Sequence, residues 1–207
     1  MGQALFLFSH VFRLEEVVVR GHQRLSEQAI VRQAALAPGT YLWTLSPRRI
    51  AARLRGLREV RTVSVSLALP GRVTLEIRER QPVAVLAASD GAGPWLEVDA
   101  EGVLLGQARA PVTVPRLKLK GLDSARGVVD ATPILVALKA RRWLEPNLPA
   151  PAEGYLVDDA RAVSVETRLL GTPLVVRVGP LQNMEYKMHV LRALIDRLKT
   201  ERRAAVV

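Results

Sequence analysis

Apolar residues recur along this chain at two different spacings. At period two, Val63, Val65, Leu67 and Leu69 are interleaved with small or polar residues. After the turn signal Pro70-Gly71, Val73, Leu75 and Ile77 are interleaved with Arg72, Thr74, Glu76 and Arg78. The pattern predicts a hairpin with one apolar and one wet face. Upstream, the β-branched run Val17-Val18-Val19 closed by Gly21 predicts another strand. Between these strands the spacing becomes helical. Ser26 caps a stretch with Ile30, Val31 and Ala34 on one side, and Pro38-Gly39 ends it. Ser46-Pro47 opens a second helix, with Ile50, Leu54 and Leu57 at i, i+4 and i+7. The order strand, helix, helix, strand, strand makes a complete two-layer domain, one sheet covered by two helices.

Gln81-Pro82 marks a boundary, because proline cannot continue a ladder. The remainder reads as strands with two helices. Short strands are expected at residues 83–86, 96–98 and 103–105, the last two joined by the turn Asp99-Ala100-Glu101-Gly102. Residues 116–120 alternate basic residues with leucine, and a helix is expected from Thr132-Pro133 to about Trp143, followed by a proline-bounded loop at 146–151. Residues 163–167 and 174–178 pair around Leu170-Gly171-Thr172. In the clearest helix, about 183–202, Met184, Met188, Leu191, Ile195 and Leu198 form one core-facing stripe. Ala204, Ala205, Val206 and Val207 read as the start of a further strand. The fold class expected is α+β.

Composition narrows the chemistry. With 207 residues, 49% of them hydrophobic, the chain can bury a core without metal or disulfide support. Cysteine is absent, which excludes disulfides, thiol nucleophiles and Cys-based zinc sites. His10, His22 and His189 are scattered, and no HExxH, GxSxG, P-loop or GxGxxG pattern occurs. Asp158-Asp159 is read as a turn rather than an acid–base pair, since Asp favours turns through its own backbone bonds. An enzyme is not expected: there is no catalytic residue, cofactor or metal to nominate.

Charge adds a surface. Lysine plus arginine is 30 against 20 acids, a net charge of +10, and arginine supplies 25 of the 30. Six arginines fall between Arg48 and Arg61, with only Glu59 to offset them. On the second helix Arg48, Arg49, Arg53, Arg55 and Arg58 form a basic face opposite the apolar stripe. Three readings stand: a solvated face, contact with anionic lipid or a partner, and phosphate contacts on nucleic acid. No zinc finger, RNP aromatic pair or GxxG clamp accompanies it, and the two helices stand too far apart for helix-turn-helix, so nucleic acid is not expected. Residues 4–12 (ALFLFSHVF) hold seven apolar residues and no charge. They fit a short apolar element or the last turns of a membrane anchor, being too short to span a bilayer.

The ordered motifs resemble one family. Residues 12–22 (FRLEEVVVRGH) look like the opening strand of a POTRA domain, and Gly39-Thr40-Tyr41-Leu42-Trp43 continues it. Residues 73–84 (VTLEIRERQPVA) resemble the v-x-i-x-E-R-x-P-v-A junction of the FtsQ/DivIB bacterial cell-division proteins. Val98-Asp99-Ala100-Glu101-Gly102 resembles the v-D-x-x-G hairpin that follows there. Val176-Arg177-Val178-Gly179, with Lys187 in a long helix, resembles the family's carboxy-terminal pattern.

The resemblance implies an apolar stub at residues 1–12, a POTRA domain at 13–81 with a three-stranded sheet and two helices, and a β-rich domain with two helices at 82–207 that stops short at its carboxy end. It implies a non-enzymatic divisome scaffold, single-pass in the bacterial cell membrane with its bulk extracytoplasmic at the septum. It also implies an amino-terminal membrane anchor, mostly missing here. Such a protein binds FtsB/FtsL (DivIC-type) and other divisome partners, links early and late division proteins and helps control septal peptidoglycan synthesis. In the family a partner strand adds to the terminal sheet edge, so Ala204, Ala205, Val206 and Val207 are candidate partner contacts. Arg161, entering the strand before Gly171, is the candidate for meeting an acidic partner. Two alternatives remain: a POTRA-containing polypeptide-binding module of an outer-membrane assembly or secretion system, and a basic nucleic-acid-binding protein.

Overall fold

The structure is a computed structural model that describes residues 12–88, 93–119 and 127–204. The apolar stub up to residue 11, and Ala205, Val206 and Val207, lie outside the described residues. The chain is α+β and divides into two compact units, Met1–Arg80 and Gln81–Val207.

In the first unit, β1 (Glu16–Arg20), β2 (Val60–Ala68) and β3 (Arg72–Glu79) form a sheet in the order β1-β3-β2. β3 pairs parallel with β1 and antiparallel with β2. Parallel pairing of β1 and β3 needs a crossover, which α1 (Glu27–Ala34) and α2 (Pro47–Leu54) supply together with β2. Both helices start where the sequence marks a cap. Ser26 Oγ accepts the Ala29 N–H at 3.3 Å, and Ser46 Oγ accepts the Arg49 N–H at 3.4 Å with Pro47 in the first turn.

Val73, Leu75 and Ile77 of the central strand are buried, and the register sets them beside β2 in the pairs Val63↔Ile77, Val65↔Leu75 and Leu67↔Val73. Ile30, Ala34, Ile50 and Leu54 press onto the same face from the helices and complete the core. α2 is shorter than its apolar spacing predicts. It ends at Leu54, with Arg55 as its cap, so Leu57 packs on the core from the turn beyond, and Arg55 and Arg58 lie past the helix. Gly56, a weak helix former, follows the cap immediately.

In the second unit, seven strands form one mixed sheet in the order β10-β9-β8-β7-β4-β5-β6. They are β4 (Ala84–Ala88), β5 (Leu96–Val98), β6 (Leu104–Gln107), β7 (Arg116–Leu119), β8 (Gly154–Val157), β9 (Val163–Leu169) and β10 (Thr172–Gly179). β7 pairs parallel with both β4 and β8, and the other pairs are antiparallel. α3 (Ala131–Leu144) packs on β7, β8 and β9, and α4 (Met184–Ala204) sets Met184, Met188, Leu191 and Ile195 into the same core.

The second unit departs from the sequence reading in three places. Leu198, expected on the core-facing stripe of α4, is 39% exposed because the helix has run past the sheet core by its last turns. β8, an inner strand, carries no legible signal: it is four residues long, and Gly154, Tyr155 and Val157 are all buried, so no polar alternation marks it. Ala204 is the last residue of α4, not the first of a strand. The helix runs on because its last turns suit it: Arg197 and Glu201 form an i, i+4 ion pair at 2.8 Å, and alanine is the best helix former.

Candidate partner-binding edge

A sheet of seven strands has two edges, and they are finished differently. Beside β6, Val103 bridges Val128 and the Leu104 N–H donates to the Gly127 carbonyl, so backbone groups there are engaged. β10 pairs with β9, and among the described residues no other strand pairs with it. An unpaired edge of this kind presents a row of backbone donors and acceptors to any strand that can reach it.

The ends of β10 are defined by its sequence. Pro173 near the start lacks an N–H and limits pairing there. At the other end the register with β9 shifts between Arg177 and Gly179, and Gly179 has φ +74°. The Lys187 ammonium then donates to the Pro180 carbonyl at 2.6 Å and ties the strand exit to the first turns of α4. Between these limits Leu174, Val176 and Val178 pack on the core, while Val175 is 55% exposed on the opposite face.

α4 supplies the second wall. Its buried stripe leaves Tyr186 and Leu194 exposed, and an apolar groove of about 240 Å³ runs between β10 and the helix. Val176, Val178, Tyr186, Val190 and Leu194 line it, with Arg177 and Lys187 at its margin. An added strand would find main-chain partners on β10 and a pocket for its side chains beside them.

The nominated residues fall in three places. Arg161 lies in the turn after β8 with φ +59°, where the Asp158 carboxylate accepts the Ala162 N–H at 2.8 Å. It stands two residues before Val163, which pairs with Val157 of β8 on one side and Gly179 of β10 on the other. It is therefore exposed at the end of the sheet where β10 finishes, in the turn between β8 and β9. Asp130 is one acidic group that already feels its charge. Ala204 closes the final turn of α4 and belongs to no strand, and Ala205, Val206 and Val207 lie outside the described residues. Arg48, Arg49, Arg53, Arg55 and Arg58 belong to the first unit and are all exposed. The sequence reading missed Tyr186 and Leu194, whose only signal is that they are apolar residues off the buried stripe of α4.

Asp158 and Asp159 lie in the turn between β8 and β9, and Asp158 serves the backbone there. Asp99 does the same in its hairpin, accepting the N–H groups of Glu101 at 3.0 Å and Val103 at 2.8 Å. Among the described residues no group of three His, Cys, Asp or Glu could hold a metal ion, and no helix is long and apolar enough to cross a membrane.

Comparison with known proteins agrees with this architecture. A family model described as "POTRA domain, FtsQ-type" matches residues 12–80, the whole described part of the first unit. The first unit is an FtsQ-type POTRA domain. It is 32% identical over 151 residues to the cell division protein FtsQ of Mycolicibacterium smegmatis, covering 70% of this chain and 44% of that protein. It is 34% identical over 158 residues to FtsQ of Streptomyces venezuelae, covering 74% and 54%. FtsQ of Mycobacterium tuberculosis is 30% identical over 195 residues, covering 94% of this chain and 58% of the relative. The chain thus spans about half the length of the curated relatives it matches. A solved structure, "POTRA1-2 of the periplasmic domain of Omp85 from Anabaena", matches at 15% identity over 80% of this chain and 96% of that one, with a TM-score of 0.29, which carries no argument about function.

Proposed function

We propose that this chain is a non-enzymatic scaffold of the bacterial division machinery, acting outside the cytoplasm next to the membrane. Its second unit binds FtsB/FtsL-type partners, and through them it links early and late division proteins and helps control septal peptidoglycan synthesis. The observation that supports this most is the open edge of β10 with the apolar groove beside it, on a chain whose relatives are cell division proteins. A partner strand adds to β10, sets apolar side chains against Tyr186 and Leu194, and meets Arg161 or Arg177 with an acidic group. Most of the affinity comes from apolar burial and main-chain bonds, and the arginines orient the strand.

The test is binding of the purified chain to the extracytoplasmic part of an FtsB–FtsL pair, with duplex DNA as the control and salt varied. Salt-tolerant capture of the pair, weakened at least about tenfold by Leu194→Glu, is the expected result, since one buried leucine contact is worth about 1.5–3 kcal/mol. Failure of the pair to bind, both to this chain and to one extended past Val207, would overturn the reading. So would tight DNA binding that persists at physiological salt.

A further inference from the structure

The first unit carries a surface that the partner-binding reading does not use. α2 buries Ile50, Ala51 and Leu54 and turns its arginines outward. Arg48, Arg49, Arg55 and Arg58 are exposed and make no ion pair among the described residues. Arg53 is engaged, its guanidinium donating to the Ala34 carbonyl at 3.1 Å.

Just ahead of this helix lies an aromatic cluster. Tyr41 and Trp43 stack with centroids 4.5 Å apart, and Phe12 meets Trp43 edge-on at 5.7 Å. The Arg13 guanidinium lies 5.1 Å from the Tyr41 ring centre and donates to its hydroxyl at 3.1 Å. Trp43 stays 44% exposed. Arg48 lies five positions after Trp43, at most about 18 Å of chain, so the start of α2 adjoins the cluster.

We infer that this surface, exposed Trp43 with Arg48, Arg49, Arg55 and Arg58, docks the first unit onto an anionic lipid bilayer. Three observations select lipid over nucleic acid. Tyr and Trp rings with one apolar and one polar end settle at the lipid–water boundary. Tyr41 is already covered by Trp43 and Arg13, which leaves a poor platform for stacking bases. The chain also enters the cluster directly from the uncharged apolar residues 4–12. Four unpaired arginines then face the lipid phosphates, each worth up to about fivefold in affinity near an anionic surface.

The inference goes beyond the proposed partner binding and fails separately from it, because the two surfaces lie in different units. The test is co-sedimentation of the full chain with vesicles of phosphatidylglycerol and phosphatidylcholine, against pure phosphatidylcholine, at low and physiological salt. Binding to the anionic vesicles is expected, weakened by salt. The variant R48Q/R49Q/R55Q/R58Q should lose at least about tenfold in affinity, with an unchanged thermal midpoint and unchanged capture of the FtsB–FtsL pair. With Trp95 and Trp143 replaced by Phe, Trp43 fluorescence should shift to shorter wavelength on anionic vesicles. The variant leaves residues 4–12 intact, so equal binding by variant and parent would overturn the inference. Equal binding to both vesicle types, an unshifted Trp43, or tighter binding to duplex DNA than to anionic vesicles would overturn it as well.

Discussion

The Glu79 carboxylate, at the end of β3, accepts the backbone N–H of Leu25 at 3.0 Å across 54 residues of chain. It also accepts from Gln23 at 3.0 Å and Arg24 at 2.8 Å, so one side chain closes the whole loop leading into α1. Glu79 is the glutamate of the E-R-x-P junction, which gives that motif position a structural reason. Burial pushes its pKa up, but the three backbone donors outweigh this and, with His22 adding a smaller pull, hold it below the ordinary value of 4.5.

The lowered pKa makes Glu79 a stabilising group above about pH 4.5, and its contribution is lost as pH falls through the lower folded value. Glu79→Gln should cost about 1.5–3 kcal/mol at pH 7, the range for hydrogen bonds to a charged group. Urea unfolding followed from pH 7 to pH 3 should show the gap between parent and variant closing on the acid side. A gap that stays constant over that range would be against this account.

Gly21 approaches the same strand. Its φ is +79°, and a Cβ there would lie 2.1 Å from the Ile77 carbonyl oxygen. Neither a side chain nor a shift of the central strand can be fitted in cheaply, so Gly21→Ala should lower stability by more than about 2 kcal/mol. Gly102, φ +84° with a Cβ position 2.1 Å from the Val129 carbonyl oxygen, should behave alike in the second unit. Thermal melts of both variants check this.

Tyr155, on the inner strand β8, has a buried hydroxyl with no hydrogen-bond partner among the described residues. Burial, reinforced by the Glu145 charge, pushes its pKa up to about 12. The unfolded chain therefore loses this proton first, and stability should fall between about pH 10 and pH 12 on this account. Tyr155→Phe should remove that slope and leave stability at pH 7 unchanged or raised, by up to about 1 kcal/mol. Ultraviolet titration of the phenols, compared between parent and variant, measures the titration, and urea unfolding at pH 7 measures the stability.

Asp130 caps α3 by accepting the Thr132 N–H at 2.9 Å, and that bond holds its pKa down, with Arg161 adding to the effect. Asp130→Ala should cost about 1 kcal/mol in a melt at neutral pH. It should also change the field around Arg161, so the same variant should alter the salt dependence of partner binding.

The α+β class, the order of elements along the first unit and both of its helix starts were legible from the sequence. Those elements each bury one face, and one buried face forces a period that can be read: Val73, Leu75 and Ile77 alternate because Arg72, Thr74, Glu76 and Arg78 must not be buried. The caps at Ser26 and Ser46 are equally local. What tertiary structure alone decided depends on neighbours far away in the chain. β8 shows no period because it is four residues long and Gly154, Tyr155 and Val157 are all buried, with only Leu156 partly exposed. β10 lies at an edge only because β8 and β9 build outward from β7. Arg161 lies at the same end of the sheet as Gly179 only through the register of β9 on β8 and β10. The groove of Tyr186 and Leu194 exists because α4 turns its other stripe inward. Local spacing reports which side of an element is buried, whereas the identity of the element beside it is set by packing between residues that the sequence keeps apart.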